Sequence, residues 1–231
     1  MAFPPERIVI VGAGGGIGSA LHRACEMRYP GAQIHTFSRD SNPGLNFDHP
    51  DSIEQAAASV EGTIDLLLIA SGHLHDEVHS PEKNLQMLSV DAMARSYQIN
   101  TIGPAMVLRS FLRKMNREGK SVAAALSARV GSISDNRLGG WYSYRAAKAA
   151  LNQVIKTSAI EHGRRYADSI IVGLHPGTVD SELSRPFQKN VPGGKLFSPE
   201  FSANALLDVI EGLQPDQSGQ IFAWDGSVVP A

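Results

Sequence analysis

Short apolar runs alternate with longer stretches of helical spacing along this chain. Residues 8–11 (Ile-Val-Ile-Val) read as a fully buried strand that runs directly into a cluster of glycines. The spacing over 19–28 predicts a helix and 32–37 a second strand. A helix follows over 51–60, with Asp51 or Ser52 as its cap. Residues 64–70 form an unbroken apolar run of the kind buried on both faces of a parallel sheet. One long helix is predicted over 90–116, then a strand over 122–126, a helix over 144–162 and a strand over 169–174. A helix over 204–213 and a short strand over 220–224 close the pattern.

Strand–helix alternation of this kind predicts an α/β fold. The expected architecture is a single doubly wound, Rossmann-type domain over 1–231, a parallel sheet with helices on both faces. Right-handed crossovers leave few topologies. Ligands of such sheets bind beyond the carboxyl ends of the strands, at the switch point. The Pro/Gly-rich stretch at about 183–200 reads as a lid-like loop, in which Phe187 and Phe197 would supply apolar walls.

Composition narrows the function classes. A hydrophobic share of 42% supports one sizeable core, and a net charge of -2 gives no basic face for nucleic acid or an anionic membrane. No apolar run is long enough to span a bilayer. Cys25 stands alone, so no intrachain disulfide forms, and its place in a helical stretch suggests a buried structural thiol. The N-terminus shows no signal-peptide core. Together these readings predict a reducing, cytoplasmic setting and a small-molecule substrate.

Candidate chemistry begins at the glycines. Gly12, Gly16 and Gly18 follow the first strand, with Gly14 and Ile17 between them. Ile17 takes the place of a third glycine in the usual dinucleotide fingerprint, so this is a variant of it. Glycines let the backbone approach a pyrophosphate, and the following helix offers free N–H groups and the positive end of its dipole. The second strand should then meet the adenosine ribose. An acidic residue there would favour NAD(H). This chain has Ser38 and Arg39, and a guanidinium pairs with a 2′-phosphate, so NADP(H) is expected. Asp48 is a candidate partner for the adenine amino group.

The segment GSISDNRLGGWYSYRAAKAALN carries the second constellation. Tyr144 and Lys148 are four apart and share one helix face. A phenol titrates near pH 10, and a neighbouring ammonium is expected to lower that value and suit the pair to acid–base work on a carbonyl or alcohol. Tyr142 lacks such a neighbour. His73, His75 and His79 lie beside Asp76 and Glu77, but their spacing fits no closed metal site and reads as a solvated loop.

With this order of motifs the chain resembles the short-chain dehydrogenase/reductase family over essentially its whole length. It looks most similar to the branch of sniffer-type carbonyl reductases and C-factor signalling proteins. The resemblance implies that Asn100, in Gln-Ile-Asn-Thr-Ile-Gly, holds a water relaying protons to Lys148. It implies that Pro176, Gly177, Thr178 and Val179 lie beside the nicotinamide, with Ser181 following, and that Lys148 also binds the nicotinamide ribose. Where the family usually has Asn-Asn-Ala-Gly, this chain has Ile69-Ala70-Ser71-Gly72, so Ala70 and Gly72 would border the adenosine side. The family's substrate-orienting serine falls on Ala128. Ser132 is a candidate replacement from the loop; Ser127, one residue off, should point to the opposite face of a strand. The resemblance further implies a carbonyl or alcohol substrate and a homodimer or homotetramer, built by pairing the helices over 90–116 and 144–162. The rival reading, favoured by the missing serine, is a catalytically weak or inactive NADP-binding signalling protein on the same fold.

Overall fold

The computed structural model describes residues 4–231; the first three residues of the N-terminal reading lie outside them. Strand β1 (Arg7–Val11) leads into helix α1 (Gly16–Arg28), β2 (Gln33–Phe37), α2 (Asp51–Ser59) and β3 (Leu66–Ile69). Then come α3 (Val90–Tyr97), α4 (Gly103–Phe111), β4 (Ser121–Leu126), α5 (Tyr142–Gly163) and β5 (Ser169–His175). Short strands β6 (Thr178–Val179) and β7 (Leu196–Phe197) precede α6 (Pro199–Gly212) and β8 (Ile221–Ala223).

Six strands form one parallel sheet in the order β2-β1-β3-β4-β5-β8. The chain turns outward from β1 to β2 and then returns to β3 on the other side of β1. That reversal opens a crevice at the carboxyl ends of β1 and β3. Both faces are covered, because successive side chains of a strand point to opposite sides. Ile8 and Ile10 belong to a core with Leu21, Ala24 and Leu206, while Val9 and Val11 belong to another with Val107, Phe111 and Leu151. The continuous apolar runs in the sequence are the consequence.

Three predicted elements differ from the structure. The long helical stretch over 90–116 runs unbroken from Val90 to Lys114, but it widens into a π-type turn at Gln98–Ile102 between α3 and α4. Pro104 supplies the physical reason, since it has no N–H to give the carbonyl of Asn100 four residues earlier. Neither Asp51 nor Ser52 caps α2; Pro50 stands at the cap, and the Ser52 hydroxyl bonds to Asn46 and His49 instead. Helix α6 starts five residues before the predicted 204, with Pro199 in its first turn and the Ser198 side chain accepting from Phe201 N.

Candidate active site

The crevice holds two adjoining cavities. The larger, about 700 Å³, lies over β4 and β5 and the start of α5; the smaller, about 340 Å³, lies between β1, β2 and α3. They share Gly14, Gly15, Ala70, Ser71 and Gly72.

The glycine turn shapes their junction. Gly12 has φ +88°, and a side chain there would fall 2.9 Å from the backbone of Ala70 and Ser71. A Cβ on Gly18 would sit 2.1 Å from the Gly12 carbonyl, so only glycine lets α1 begin this close to β1. Helix α1 starts at Gly16 with no side chain capping it and no acidic residue in its first turn. Its first N–H groups therefore face the crevice as an anion site. Gly14, Gly16 and Ile17 line the larger cavity.

The smaller cavity is bordered by Ser38, Arg39, Asn46, Phe47 and Arg95. Asp48 is not among its lining residues. Its carboxylate is exposed and pairs with Arg95 at 2.6 Å, while its neighbours Asn46 and Phe47 do line the cavity. Arg95 was missed because helical periodicity does not say which exposed face meets a distant loop. An unsatisfied group sits there as well: Ser71 Oγ is buried at the junction without a partner. A narrow pocket, a glycine cradle and a wider chamber in a row fit a nicotinamide dinucleotide.

The wider chamber is built around α5. Tyr144, Lys148, Ala128, Ser127, Pro176, Gly177, Thr178, Val179 and Ser181 all line it. Lys148 is only 2% exposed, donates to the Leu126 carbonyl at 2.8 Å, and places Nζ 5.7 Å from the centre of the Tyr144 ring. Burial draws the lysine down to about 7 and pushes the tyrosine well above its usual range. In both groups the cause is desolvation, which disfavours the charged form. Tyr144 keeps its proton through neutral pH. His175, also on the chamber wall, falls to about 4 through burial and then the Arg129 charge, opposed by Asp225. Its Nδ1 is buried without a partner.

Asn100 is fully buried in the π-type turn. Its side-chain nitrogen donates to the carbonyls of His73 and Ser96, and its oxygen accepts from His73 N. The side chain therefore ties the loop after β3 to α3. Thr101 Oγ donates to the Ala147 carbonyl at 2.7 Å and fastens the turn to the catalytic helix.

The two serine candidates part company. Ser127 borders the chamber but is 3% exposed, and its hydroxyl donates to Asn152 Oδ1 at 2.5 Å. Ser132 is turned away. Its Oγ accepts from Asp135 N and donates to the Ala231 carbonyl, and it does not line the chamber. The expected replacement by Ser132 is thus corrected: the short turn Arg129–Gly131 carries the chain off the sheet before residue 132. Ala128 stands at the chamber wall with a methyl group.

Aromatic rings close the outer side. Trp141 packs against Phe187 at 5.1 Å and edge-on to Tyr144 at 6.3 Å, and His75 meets Phe187 at 5.7 Å. The stretch carrying Phe187 is clipped back by the β6–β7 pairing. Phe197 instead packs beneath, against Trp224 and Phe201. Asp76 binds the side chains of His73 and His79, while His75 Nε2 contacts the Glu182 carbonyl.

Known proteins bear on this geometry. A family model described as short chain dehydrogenase matches residues 44–192. A 1-hydroxy-2-glutathionyl-2-methyl-3-butene dehydrogenase of Rhodococcus sp. (strain AD45) is 32% identical over 95% of this chain and 97% of its own length. C-signal of Myxococcus xanthus is 34% identical over 60% of this chain and 78% of its own. Among solved structures, an NADPH-bound carbonyl reductase from chicken fatty liver superposes with a TM-score of 0.84 at 23% identity, covering 98% of this chain and 94% of that one. The carbonyl reductase Sniffer of D. melanogaster superposes with a TM-score of 0.82 at 20% identity, covering 98% and 99%. Both likenesses support the fold.

Proposed function

The chain belongs to the short-chain dehydrogenase family, and from that premise we propose that it is an NADP(H)-dependent reductase of aldehydes or ketones, or the matching alcohol dehydrogenase. The observation that carries this reading is Tyr144, lining the chamber beside a fully buried Lys148 whose Nζ lies 5.7 Å from the centre of its ring. Gly12, Gly14, Gly16, Ile17 and Gly18 would hold the pyrophosphate; Ser38 and Arg39 the 2′-phosphate; Ala70 and Gly72 the adenosine side. Pro176, Gly177, Thr178 and Val179 would border the nicotinamide. When bound, the cofactor supplies or takes the hydride.

The protein's own part is proton and charge management. Tyr144 donates a hydrogen bond to the substrate oxygen and gives it the proton in the reducing direction. Lys148 borders that site, and burial draws its ammonium down, so it can return a proton to the phenol. Asn100 would hold a water between the π-type turn and Lys148. Pro104 supports that role by denying the Asn100 carbonyl its α-helical partner. No serine hydroxyl at position 128 shares the polarisation of the carbonyl, so Tyr144 carries it alone. Residues 183–200 act as a lid, with Phe187 and Trp141 as an apolar wall that favours unsaturated or aromatic carbonyls.

The expected assembly is a homodimer or homotetramer in the cytoplasm. Among the described residues no helix is long and apolar enough to cross a membrane. Exposed Tyr142 and Ile160 on α5 and Ile102 before α4 supply apolar surface for pairing.

NADPH oxidation against a panel of aldehydes, ketones and quinones tests the reading. Tyr144→Phe should lower turnover at least a hundredfold, about the worth of a positioned proton donor, and leave NADPH binding within twofold. A variant that keeps more than a tenth of the parent rate would remove Tyr144 from the mechanism. The rival reading, a weak or inactive NADP-binding signalling protein, is favoured by Ala128. It predicts NADPH binding with no turnover on any member of the panel.

A further inference from the structure

The catalytic helix has an unusual start. Gly139, Gly140 and Trp141 have φ of +63°, +64° and +53°. Three successive residues thus take the left-handed conformation, and the last carries an indole. Among the described residues Trp141 is the one non-glycine with positive φ. Only Gly and, less often, Asn or Asp visit this region readily, so other contacts must hold the tryptophan there. Trp141 is also the residue immediately before α5, where Ser, Thr, Asp or Asn would ordinarily accept from the first free N–H groups. An indole cannot accept, and its side chain makes no such bond.

The missing acceptors come from another part of the chain. Glu82, in the loop between β3 and α3, is 3% exposed. Its backbone carbonyl accepts from Trp141 N at 2.5 Å. One carboxyl oxygen accepts from Ser143 N at 3.2 Å and the other from Ser143 Oγ. A Cβ on Gly140 would come to 3.3 Å of the same Glu82 carbonyl, so the two segments lie in close contact. On the other side, the Arg145 guanidinium bonds to the carbonyls of Gly139, Gly140 and Val130. The turn is held between a buried acid and an arginine, and the ring it presents meets Tyr144 and Phe187.

We propose that Glu82 is a positioning residue for the catalytic helix. It caps the first turn of α5 from outside, holds Trp141 in its left-handed conformation against the lid, and thereby sets the direction of the Tyr144 hydroxyl. An acidic group at a helix N-terminus is favoured by the free N–H groups and by the dipole. Ser143 precedes Tyr144 directly, so unwinding this turn moves the phenol. Glu82 does not itself line the chamber, and it acts through Trp141 and Ser143. The catalytic effect rests on the carbonyl-reductase reading; the conformational effect does not.

The experiment separates the two. The chain has two tryptophans, so in a Trp224→Phe background the fluorescence reports Trp141 alone. Glu82→Ala, Glu82→Gln and Ser143→Ala are compared with that background. In Glu82→Ala the Trp141 emission should shift to the red and acrylamide quenching rise about twofold, as the turn loosens. NADPH affinity should stay within about twofold while kcat for an accepted carbonyl falls at least about tenfold, since loss of alignment acts on the chemical step. Glu82→Gln keeps an acceptor and should recover part of both signals. Ser143→Ala should shift Trp141 less, because the Glu82 carboxylate still accepts from the backbone N–H of residue 143. If Glu82→Ala does not fold by circular dichroism, the two milder variants carry the test. Unchanged Trp141 emission and quenching in folded Glu82→Ala or Glu82→Gln overturns the proposal. Altered fluorescence with unchanged kcat also overturns it, by showing a cap without a catalytic effect. Altered fluorescence in a parent that turns over nothing leaves the cap standing and removes the carbonyl-reductase reading.

Discussion

At Ala128 a methyl group stands where a hydroxyl would meet the substrate oxygen, and neither neighbouring serine reaches round to replace it. Losing one such donor costs on the order of a hundred- to thousandfold in rate. Ala128→Ser should therefore raise kcat at least about tenfold, because the position already faces the chamber and no other group fills it. Ser132→Ala should leave kcat within about twofold and cost roughly 1 kcal/mol of stability, the worth of the bonds it makes to Asp135 and Ala231. Steady-state rates and denaturant titrations check both, and a silent Ala128→Ser with a slow Ser132→Ala would reverse the assignment. The adenosine end allows a second comparison. Arg39 borders the smaller cavity and is exposed, with Ser38 beside it. A charge-assisted contact of about 1.5–3 kcal/mol predicts a ten- to hundredfold loss of NADPH affinity in Arg39→Ala, with NADH unchanged. Equal affinity of the parent for both cofactors, by fluorescence titration, would contradict it. Arg95, tied to Asp48, supplies a second guanidinium at this rim.

Helices decide how these residues meet. Helix α5 carries Tyr144 and Lys148 on one side and exposes Tyr142 and Ile160 on another. Seen from its own sequence, the helix is apolar on two sides, and the core needs only one of them. The outer side is where the proposed homodimer would pair. Ile160→Glu should accordingly shift the protein toward monomer in analytical ultracentrifugation, since a charge buried without a partner costs several kcal/mol. A parent that sediments as a monomer, or a variant that keeps the parent's assembly, would dismiss pairing through this side. The π-type turn between α3 and α4 works at the same scale. Within it Asn100 bonds the loop after β3 and Thr101, next along the helix, bonds α5. Pro104 follows, without an N–H for the Asn100 carbonyl.

Across the whole molecule, His175 links the site to acid stability. Its ordinary midpoint lies near 6.5, and burial holds it at about 4 in the folded chain. Between those values the unfolded state binds the extra proton, so stability is fully present above pH 6.5 and falls as pH drops toward 4. The loss at pH 5 amounts to about 2 kcal/mol at most, and His175→Leu should show a shallower decline between pH 7 and 5 in urea titrations. Parallel curves for the two proteins would assign the acid limb to other groups. Much of this molecule was legible in the chain. Strand–helix alternation determined the doubly wound sheet, because buried parallel strands must be apolar on both faces. The glycines before α1 and the four-residue spacing of Tyr144 and Lys148 are local features, and local features survive in sequence. Tertiary structure alone decided the rest. It turned Ser132 toward Ala231, gave Asp48 to Arg95, brought Glu82 under a left-handed Trp141, and set the protonation of Tyr144 and Lys148 by burial. Each of these depends on groups far apart along the chain whose approach no periodicity encodes, and on a desolvation that exists only once the core has closed.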